Sequence, residues 1–362
     1  MAWSKPPKRP GKLRTGDRIA IVTPSWGGPA CFPERFETGK RYLQEEFGLD
    51  AIVMPNARKP ADWLDRNPKA RAEDVMQAFA DPSIAAVIAS IGGDDAIRLI
   101  PYLDLEVIAD NPKIFLGYSD ATVLHFACLK AGITSFYGPT VMAGFAENGG
   151  MHDLTKEAIR RVLFSAQAPG ILPHNTEGWT DEWLDWSVPA NKAQKRRMNA
   201  PKAPRLWQGT GKVRGSLIGG CAEVLEMLKG TDLWPPLDYW NGAILFYEIS
   251  EESPAPSTIA RWIRNFGAQG ILDVIAGIIV GRPGGGIPAD RHDDYGAAIA
   301  KVLAEYGADR IPLITGMDFG HTDPMTVLPY GVEAEIDCAV ASVSLVNSAV
   351  REMSEKTREA MR

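Results

Sequence analysis

The sequence predicts an α/β protein with two domains. Between residues 17 and 163, short apolar runs alternate with stretches whose apolar residues recur at helical spacing, the pattern of parallel strands joined by helical crossovers. A second region of the same kind begins near Lys212. At 362 residues, the chain is also longer than a single hydrophobic core usually grows. We therefore expect a parallel-sheet N-terminal domain and a smaller C-terminal α/β domain.

Local signals predict the individual elements. In the N-terminal region, apolar runs predict strands at 18–23, 51–54, 85–90 and 113–116, and helical spacing predicts helices at 34–47, 70–80 and 121–130. In the C-terminal region, the same criteria predict helices at 222–229, 257–266 and 295–306, and strands at 243–248 and 274–280.

The segment between the two periodic regions has a different composition. It mixes prolines and charges with four tryptophans, Trp179, Trp183, Trp186 and Trp207, without a clear period. We assign residues 1–166 to a flavodoxin- or Rossmann-like domain, 167–211 to a Trp-rich inter-domain loop, and 212–362 to a swivelling-type domain. The basic run at 192–197 is expected to be a solvated face rather than a phosphate site.

Composition limits the possible functions. With 45% hydrophobic residues, 23% charged residues and a formal charge of −6, the chain does not have the basic balance of a nucleic-acid binder. No apolar run is long enough for a membrane helix, and the basic first residues are not followed by a signal-peptide core, so we expect a cytoplasmic protein. The four cysteines lack metal-site spacing, and no metal or cofactor is predicted.

Ser119 is the leading candidate for a nucleophile. It follows the apolar run at 114–116 and Gly117, and it precedes the helical pattern at 121–130. A serine at such a strand-to-helix turn resembles the nucleophile elbow of hydrolases, although Ala121 stands where that motif has its second glycine. The alternative is that Ser119 is only a helix N-cap, since serine is a common capping residue.

A serine nucleophile needs a base and an acid that orients the base. Of the five histidines, His321 is the best candidate, because it lies in a turn-rich segment after an apolar run at 311–315. Glu248 ends a strongly apolar strand and is the best candidate for the acid. The alternatives are a surface-loop histidine and a salt-bridged glutamate. The backbone N–H groups of Gly92 or Gly93 and of Asp120 are candidates for an oxyanion hole.

Several short runs, in order along the chain, resemble the LD-carboxypeptidase family of serine peptidases, and within it the branch of the microcin C immunity proteins (MccF-like). The runs with this resemblance are at 13–20, 23–25, 91–95, 99–104, 117–122 (Gly-Tyr-Ser-Asp-Ala-Thr), 136–139 (Phe-Tyr-Gly-Pro), 215–220, 245–252 and 320–323. The resemblance implies a catalytic triad of Ser119, Glu248 and His321, an oxyanion hole near Gly93 and Asp120, and an active site between the domains. It also implies a cytoplasmic homodimer without a metal.

The resemblance leaves two substrate classes open. LD-carboxypeptidases remove a terminal D-alanine from muropeptide tetrapeptides, whereas the MccF-like branch cleaves the amide between an aminoacyl or peptidyl group and a nucleotide-like part. The Trp-rich loop favours the second class, because Trp183 and Trp186 could stack on a base. These tryptophans could instead pack the loop or a dimer contact. In a true carboxypeptidase, Arg98 or Arg282 could hold the terminal carboxylate.

Two further interpretations compete with this one. An ordinary α/β-hydrolase esterase shares the Ser-acid-His order, but the chain lacks the second glycine of the elbow and has a two-domain pattern. A non-catalytic peptide- or nucleotide-binding module is the alternative from another class. It predicts a missing triad member, whereas Ser119, Glu248 and His321 are all present.

Overall fold

The computed structural model describes residues 3–353. Its strands are β1 (Arg18–Val22), β2 (Asp50–Val53), β3 (Ile84–Ala89), β4 (Ile114–Gly117), β5 (Phe136–Tyr137), β6 (Gly170–Ile171), β7 (Arg205–Gln208), β8 (Lys212–Cys221), β9 (Ile244–Glu248), β10 (Gly277–Gly281), β11 (Leu313–Met317), β12 (Leu328–Pro329), β13 (Glu333–Asp337) and β14 (Ser342–Leu345). They form two sheets, one of six and one of eight strands.

Helices cover and connect these strands. The α-helices are α1 (Gly28–Cys31), α2 (Pro33–Phe47), α3 (Ala61–Arg66), α4 (Pro68–Ala80), α5 (Leu105–Asp110), α6 (Thr122–Lys130), α7 (Asp153–Leu163), α8 (Ala222–Leu228), α9 (Leu237–Trp240), α10 (Pro256–Ala268), α11 (Ile271–Val274) and α12 (His292–Glu305). Short 3-10 helices lie at Ala96–Tyr102, Ser119–Ala121, Pro189–Ala193 and Ala289–Arg291. Within residues 3–353, no helix combines the length and the apolar run needed to cross a bilayer.

The six-stranded sheet has the order β12-β5-β4-β3-β1-β2. Strands β1 to β5 are mutually parallel and lie in the order 2-1-3-4-5 of flavodoxin-like sheets, whereas β12 pairs antiparallel with β5 at the edge. In such sheets, ligands bind outside the carboxyl ends of the strands. The segments that follow β1, β3 and β4 at this edge contain Ser25, Gly93 and Ser119, respectively.

The eight-stranded sheet has the order β6-β14-β13-β8-β9-β10-β11-β7. Its centre, β8 to β11, is parallel, and antiparallel strands flank it on both sides. Glu248 is the last residue of β9, and His321 follows β11 by four residues, so both lie at the carboxyl ends of the two parallel strands that flank β10. The predicted α/β class is confirmed.

Most predicted elements begin and end within two residues of the observed ones, because their apolar residues are buried in the two sheets. The strand predicted at 274–280 is partly wrong. Val274 ends the short helix α11, which follows Gly270 in a left-handed conformation with φ of 75°, and strand β10 begins only at Gly277. A continuous apolar run does not by itself separate a buried helix from a buried strand.

Candidate active site

Ser119 lies on a strained turn. It follows strand β4 and has φ of 60°, a left-handed conformation that generally costs a non-glycine residue about 1–3 kcal/mol. Small neighbours make room for this turn: a Cβ at Gly117 would lie 2.9 Å from Cβ of Ala121, and one at Gly92 would lie 3.0 Å from Oγ of Ser119. Ala121, not Ser119, is the N-cap of α6, so the N-cap interpretation is wrong.

Glu248 and His321 form a buried pair. The Nδ1 atom of His321 donates a hydrogen bond of 2.7 Å to Oε2 of Glu248, whose side chain is fully buried. Gly320 permits this approach, because it has φ of 95° and a Cβ there would lie 2.6 Å from Oε2 of Glu248. A side chain at position 320 would therefore separate the carboxylate from the imidazole.

The charge of Glu248 controls the protonation of His321. Burial alone lowers the pKa of His321, but the charge of Glu248 and its hydrogen bond outweigh burial and raise this pKa to about 9. The second ring nitrogen, Nε2, lies 3.1 Å from Oε2 of Glu251, a side chain that is 72% exposed. Within residues 3–353, no hydrogen bond joins His321 to Oγ of Ser119, although both residues line one cavity. The imidazole therefore rests between two carboxylates.

Tyr137 links Ser119 to this pair. Its hydroxyl accepts a hydrogen bond of 3.1 Å from the N–H of Ser119 and donates one to Oε1 of Glu248. We did not predict this residue from the sequence. The available signal was its place in the Phe-Tyr-Gly-Pro run at 136–139, but neither residue type nor spacing indicates which groups a buried tyrosine contacts.

The predicted oxyanion donors lie beside Ser119. Gly93 has φ of 149°, and a Cβ there would lie 2.1 Å from Oγ of Ser25, so this position requires glycine. The N–H groups of Gly93 and Asp120 have no acceptor among residues 3–353. Gly93 lines the cavity, whereas the side chain of Asp120 is buried beneath it.

A polar network fixes the loop that contains Gly93. The carboxyl group of Asp120 accepts hydrogen bonds from the hydroxyl of Ser25 at 2.6 Å and from the N–H of Ala96 at 2.7 Å. Arg71, which is 1% exposed, forms a bidentate ion pair with Asp95 at 2.6 and 2.9 Å. Bidentate pairs of this kind hold both partners in a defined orientation. The loop after β3 is thus tied to the turn that contains Ser119.

The cavity above Ser119 has a volume of about 970 Å³ and an aromatic wall. Trp183 and Trp186 both lie in this wall, with ring centroids 4.8 Å apart, and Trp26 and Trp179 also line the cavity. The Arg35 guanidinium lies 4.0 Å from the ring centroid of Trp186, within the range of cation–π attraction. Trp183 is 66% exposed, so much of its ring is free to contact a ligand.

Two expectations about charged residues are wrong, and a third holds only in part. Arg98 and Arg282 do not line the cavity: Arg98 lies 2.6 Å from Asp65, and the buried Arg282 pairs with Asp318. In the run at 192–197, residues 192–195 and Arg197 are exposed as expected for a solvated face, but Arg196 is largely buried between Glu147 and Asp323. These pairings join residues far apart in sequence, which charge patterning alone does not reveal.

One cluster has potential metal ligands. Ligand atoms of Cys221, Glu248 and His321 all lie within 4.8 Å of one another. Burial raises the pKa of the Cys221 thiol well above its usual value, and this thiol donates to the carboxylate of Glu223 at 3.1 Å. A metal would have to replace the thiol proton and the bond between Glu248 and His321, so these donors are better suited to hydrogen bonding.

The fold and this cavity define a hydrolase of the serine carboxypeptidase class. The chain belongs to the LD-carboxypeptidase family: residues 19–138 match the LD-carboxypeptidase N-terminal domain, and residues 214–336 match the LD-carboxypeptidase C-terminal domain. It is therefore an enzyme, and the hypothesis of a non-catalytic binding module is wrong.

Two relatives illustrate the range of proteins that this chain resembles. The microcin C7 self-immunity protein MccF of Escherichia coli is 32% identical over 341 residues, which cover 92% of this chain and 94% of MccF. The murein tetrapeptide carboxypeptidase of Pseudomonas aeruginosa is 24% identical over 328 residues, which cover 88% of this chain and 93% of that protein. The predicted resemblance to the family and to its MccF-like branch is confirmed.

Solved structures of MccF and of an MccF-like protein have a fold similar to that of this chain. An MccF-like protein from Streptococcus pneumoniae in complex with AMP has a TM-score of 0.83 and 29% identity, with 92% of this chain and 99% of that chain covered. MccF in complex with aspartyl sulfamoyl adenosine has a TM-score of 0.83 and 29% identity, with 95% of this chain and all of that chain covered.

Proposed function

We propose that this enzyme hydrolyses the amide bond between an aminoacyl or peptidyl group and a nucleotide-like part, with Ser119 as nucleophile, His321 as base and Glu248 as the orienting acid. The observation that carries the proposal is the position of Ser119 and His321 in one cavity with Trp183 and Trp186. A reactive serine and an aromatic surface for a base are thus available to one ligand.

The proposed reaction follows from the positions of these groups. The Nε2 atom of His321 leaves Glu251 and accepts the proton of Ser119, whose Oγ forms a bond to the carbonyl carbon of the substrate. The N–H groups of Gly93 and Asp120 donate to the oxyanion. His321 then gives its proton to the nitrogen of the leaving group, and the C–N bond breaks. His321 then accepts a proton from water, whose oxygen bonds to the acyl carbon. His321 returns that proton to Oγ of Ser119 as the ester C–O bond breaks, which releases the acid and restores the serine.

The aromatic wall supports the nucleotide part of this proposal. Stacking of a base on an aromatic side chain is worth about 1–3 kcal/mol in single-stranded nucleic-acid complexes. The structures of an MccF-like protein with AMP and of MccF with aspartyl sulfamoyl adenosine show that relatives of this fold bind such ligands. Product analysis by mass spectrometry tests the proposal directly. Purified enzyme is incubated with aspartyl sulfamoyl adenosine and with a murein tetrapeptide in parallel, and we expect release of sulfamoyl adenosine.

A muropeptide LD-carboxypeptidase is the second candidate function. Arg197 lines the cavity and is in no ion pair among residues 3–353, so it is available to hold a terminal carboxylate. Release of D-alanine from the tetrapeptide, without release of sulfamoyl adenosine from the conjugate, would support this function and contradict the first proposal.

We expect Trp186→Ala to weaken the use of the nucleotide conjugate. Loss of a stacking surface worth about 1–3 kcal/mol corresponds to a roughly 5- to 150-fold fall in kcat/KM. The matched control is Trp63→Ala, because Trp63 does not line the cavity. Steady-state kinetics on both substrates measure the effect. An unchanged kcat/KM for the conjugate in Trp186→Ala would contradict the stacking role.

We expect Glu251→Gln to move the rise of kcat/KM with pH to lower pH. The charge of Glu251 contributes to the raised pKa of His321, and a base must be neutral to accept the proton of Ser119. Removing this charge lowers the pKa, so a larger fraction of the imidazole is neutral at pH 7. The control is Glu252→Gln, since Glu252 lines the same cavity but is in neither of the ion pairs that His321 forms within residues 3–353. Identical pH profiles for Glu251→Gln and the wild type would contradict the prediction.

A further inference from the structure

Tyr137 has no part in the reaction steps proposed above, yet it contacts two of the three residues in them. It ends strand β5 of the six-stranded sheet and is 1% exposed. Its ring packs on Phe246 of strand β9, with centroids 5.5 Å apart, so it reaches from one sheet to the other. Ser119 lies at the carboxyl ends of the strands in the six-stranded sheet, and Glu248 lies at the carboxyl ends of the strands in the eight-stranded sheet.

The hydroxyl of Tyr137 takes part in two hydrogen bonds. It accepts from the N–H of Ser119 at 3.1 Å, and it donates to Oε1 of Glu248. The other carboxylate oxygen of Glu248 accepts from Nδ1 of His321 at 2.7 Å. One continuous chain of hydrogen bonds therefore runs from the backbone of the nucleophile to the imidazole. Each bond in this chain has a fixed direction, because the carboxylate can only accept.

This arrangement constrains both ends of the series of hydrogen bonds. Ser119 has φ of 60°, and its N–H would be left without an acceptor if the Tyr137 hydroxyl were removed. Glu248 is fully buried, and donors on both oxygens fix the plane of its carboxylate. Because the N–H of Ser119 already donates to Tyr137, it is not free to donate to an oxyanion. The N–H groups of Gly93 and Asp120 are the donors that remain for the oxyanion.

We propose that Tyr137 is a positioning residue. It fixes the strained turn of Ser119, on one sheet, in position relative to the carboxylate of Glu248, on the other sheet. The inference rests on the proposed roles of Ser119, Glu248 and His321. Tyr137 remains a phenol in this role, since burial raises its pKa well above the usual value. It contacts no substrate and acts only through Ser119 and Glu248.

The test is Tyr137→Phe, compared with Tyr330→Phe. Tyr330 is an equally buried tyrosine in the same aromatic cluster, but its hydroxyl donates to the carbonyl of Gly219 at 2.7 Å. We expect Tyr137→Phe to lower kcat at least 10-fold with KM changed less than 2-fold. Without the donor on Oε1, the charge of Glu248 acts more strongly on His321, so the rise of kcat with pH moves to higher pH. Tyr330→Phe keeps the wild-type pH profile.

A second variant keeps the test decisive if Tyr137→Phe folds poorly. Tyr137→3-fluorotyrosine preserves the shape of the ring and makes the hydroxyl a stronger donor, so the pH profile moves in the opposite direction, to lower pH. The other titratable groups around the Glu248–His321 pair are the same in the two Tyr137 variants as in the wild type: Tyr118, Cys221, Glu223, Glu251 and Tyr330.

The possible outcomes separate this inference from the proposed function. If Ser119→Ala is inactive but the Tyr137 variants keep the pH profile and the kcat of Tyr330→Phe, the positioning role is wrong and the proposed function stands. If Ser119→Ala retains full turnover, the proposed function itself fails. Opposite displacements of the profile in Tyr137→Phe and Tyr137→3-fluorotyrosine support the role, because a purely structural tyrosine would not produce them.

Discussion

Ser119→Ala is expected to lower kcat by about 10³-fold or more, the usual effect of removing the nucleophile of a serine hydrolase. The variant removes only Oγ, and it retains a Cβ at a position with φ of 60°, so the fold and the affinity for substrate should change little. Single-turnover kinetics measure the loss of the chemical step, and thermal denaturation measures the stability of the variant.

Two control variants make this prediction specific. Ser187→Ala removes an exposed hydroxyl that bonds to Asp185 at 2.7 Å outside the proposed reaction, and it should keep full activity. Ser119→Gly should be as inactive as Ser119→Ala but more stable by about 1 kcal/mol, because glycine adopts a positive φ without strain. Appreciable serine-independent turnover in Ser119→Ala would contradict the proposed nucleophile.

Glu248→Gln is expected to lower kcat/KM by about 10³- to 10⁴-fold, as seen when the triad acid of a serine protease is replaced by its amide. Glutamine no longer stabilises the imidazolium that forms when His321 accepts a proton. In the wild type, kcat/KM should rise with pH up to about 9, the pKa of His321. In Glu248→Gln, burial is no longer opposed by the charge and hydrogen bond of Glu248, so this rise should move to lower pH.

The same substitution changes the dependence of stability on pH. The raised pKa of His321 means that the folded state binds the proton more tightly than the unfolded state does. This stabilisation is fully present below the unfolded pKa of about 6.5 and is lost as pH rises through about 9. Denaturation between pH 6 and pH 10 should show this loss in the wild type and a smaller loss in Glu248→Gln. A matched control is Glu226→Gln, since Glu226 pairs with Lys229 outside the cavity.

Much of the fold was predictable because each element carries its own signal. Strand β4 is buried along its whole length, and β9 is as well, so both sequences are continuous apolar runs. The residues that follow or end such strands lie at the edge where ligands bind, which is why Ser119 and Glu248 could be chosen from the sequence. His321 could be chosen because few histidines were available and the others lacked a partner.

The partners of these residues could not be predicted, because they depend on packing between distant segments. Arg196 is held by Glu147 and Asp323, and the distance along the chain to Asp323 is 127 residues. Tyr137 reaches Glu248 across 111 residues. Neither contact produces a local pattern of charge or hydrophobicity. The contact of Glu251 with His321 also depends on the conformation of an exposed side chain.

The most direct test of the proposed mechanism is the detection of an acyl group on Ser119. An aminoacyl ester of adenosine has a better leaving group than the amide, so hydrolysis of the acyl-enzyme should become the slow step. After rapid acid quenching, intact-protein mass spectrometry should show an increase equal to the mass of the acyl group, and peptide mapping should locate it at Ser119. An adduct on another residue, or equal hydrolysis of the ester by the wild type and Ser119→Ala, would contradict the mechanism.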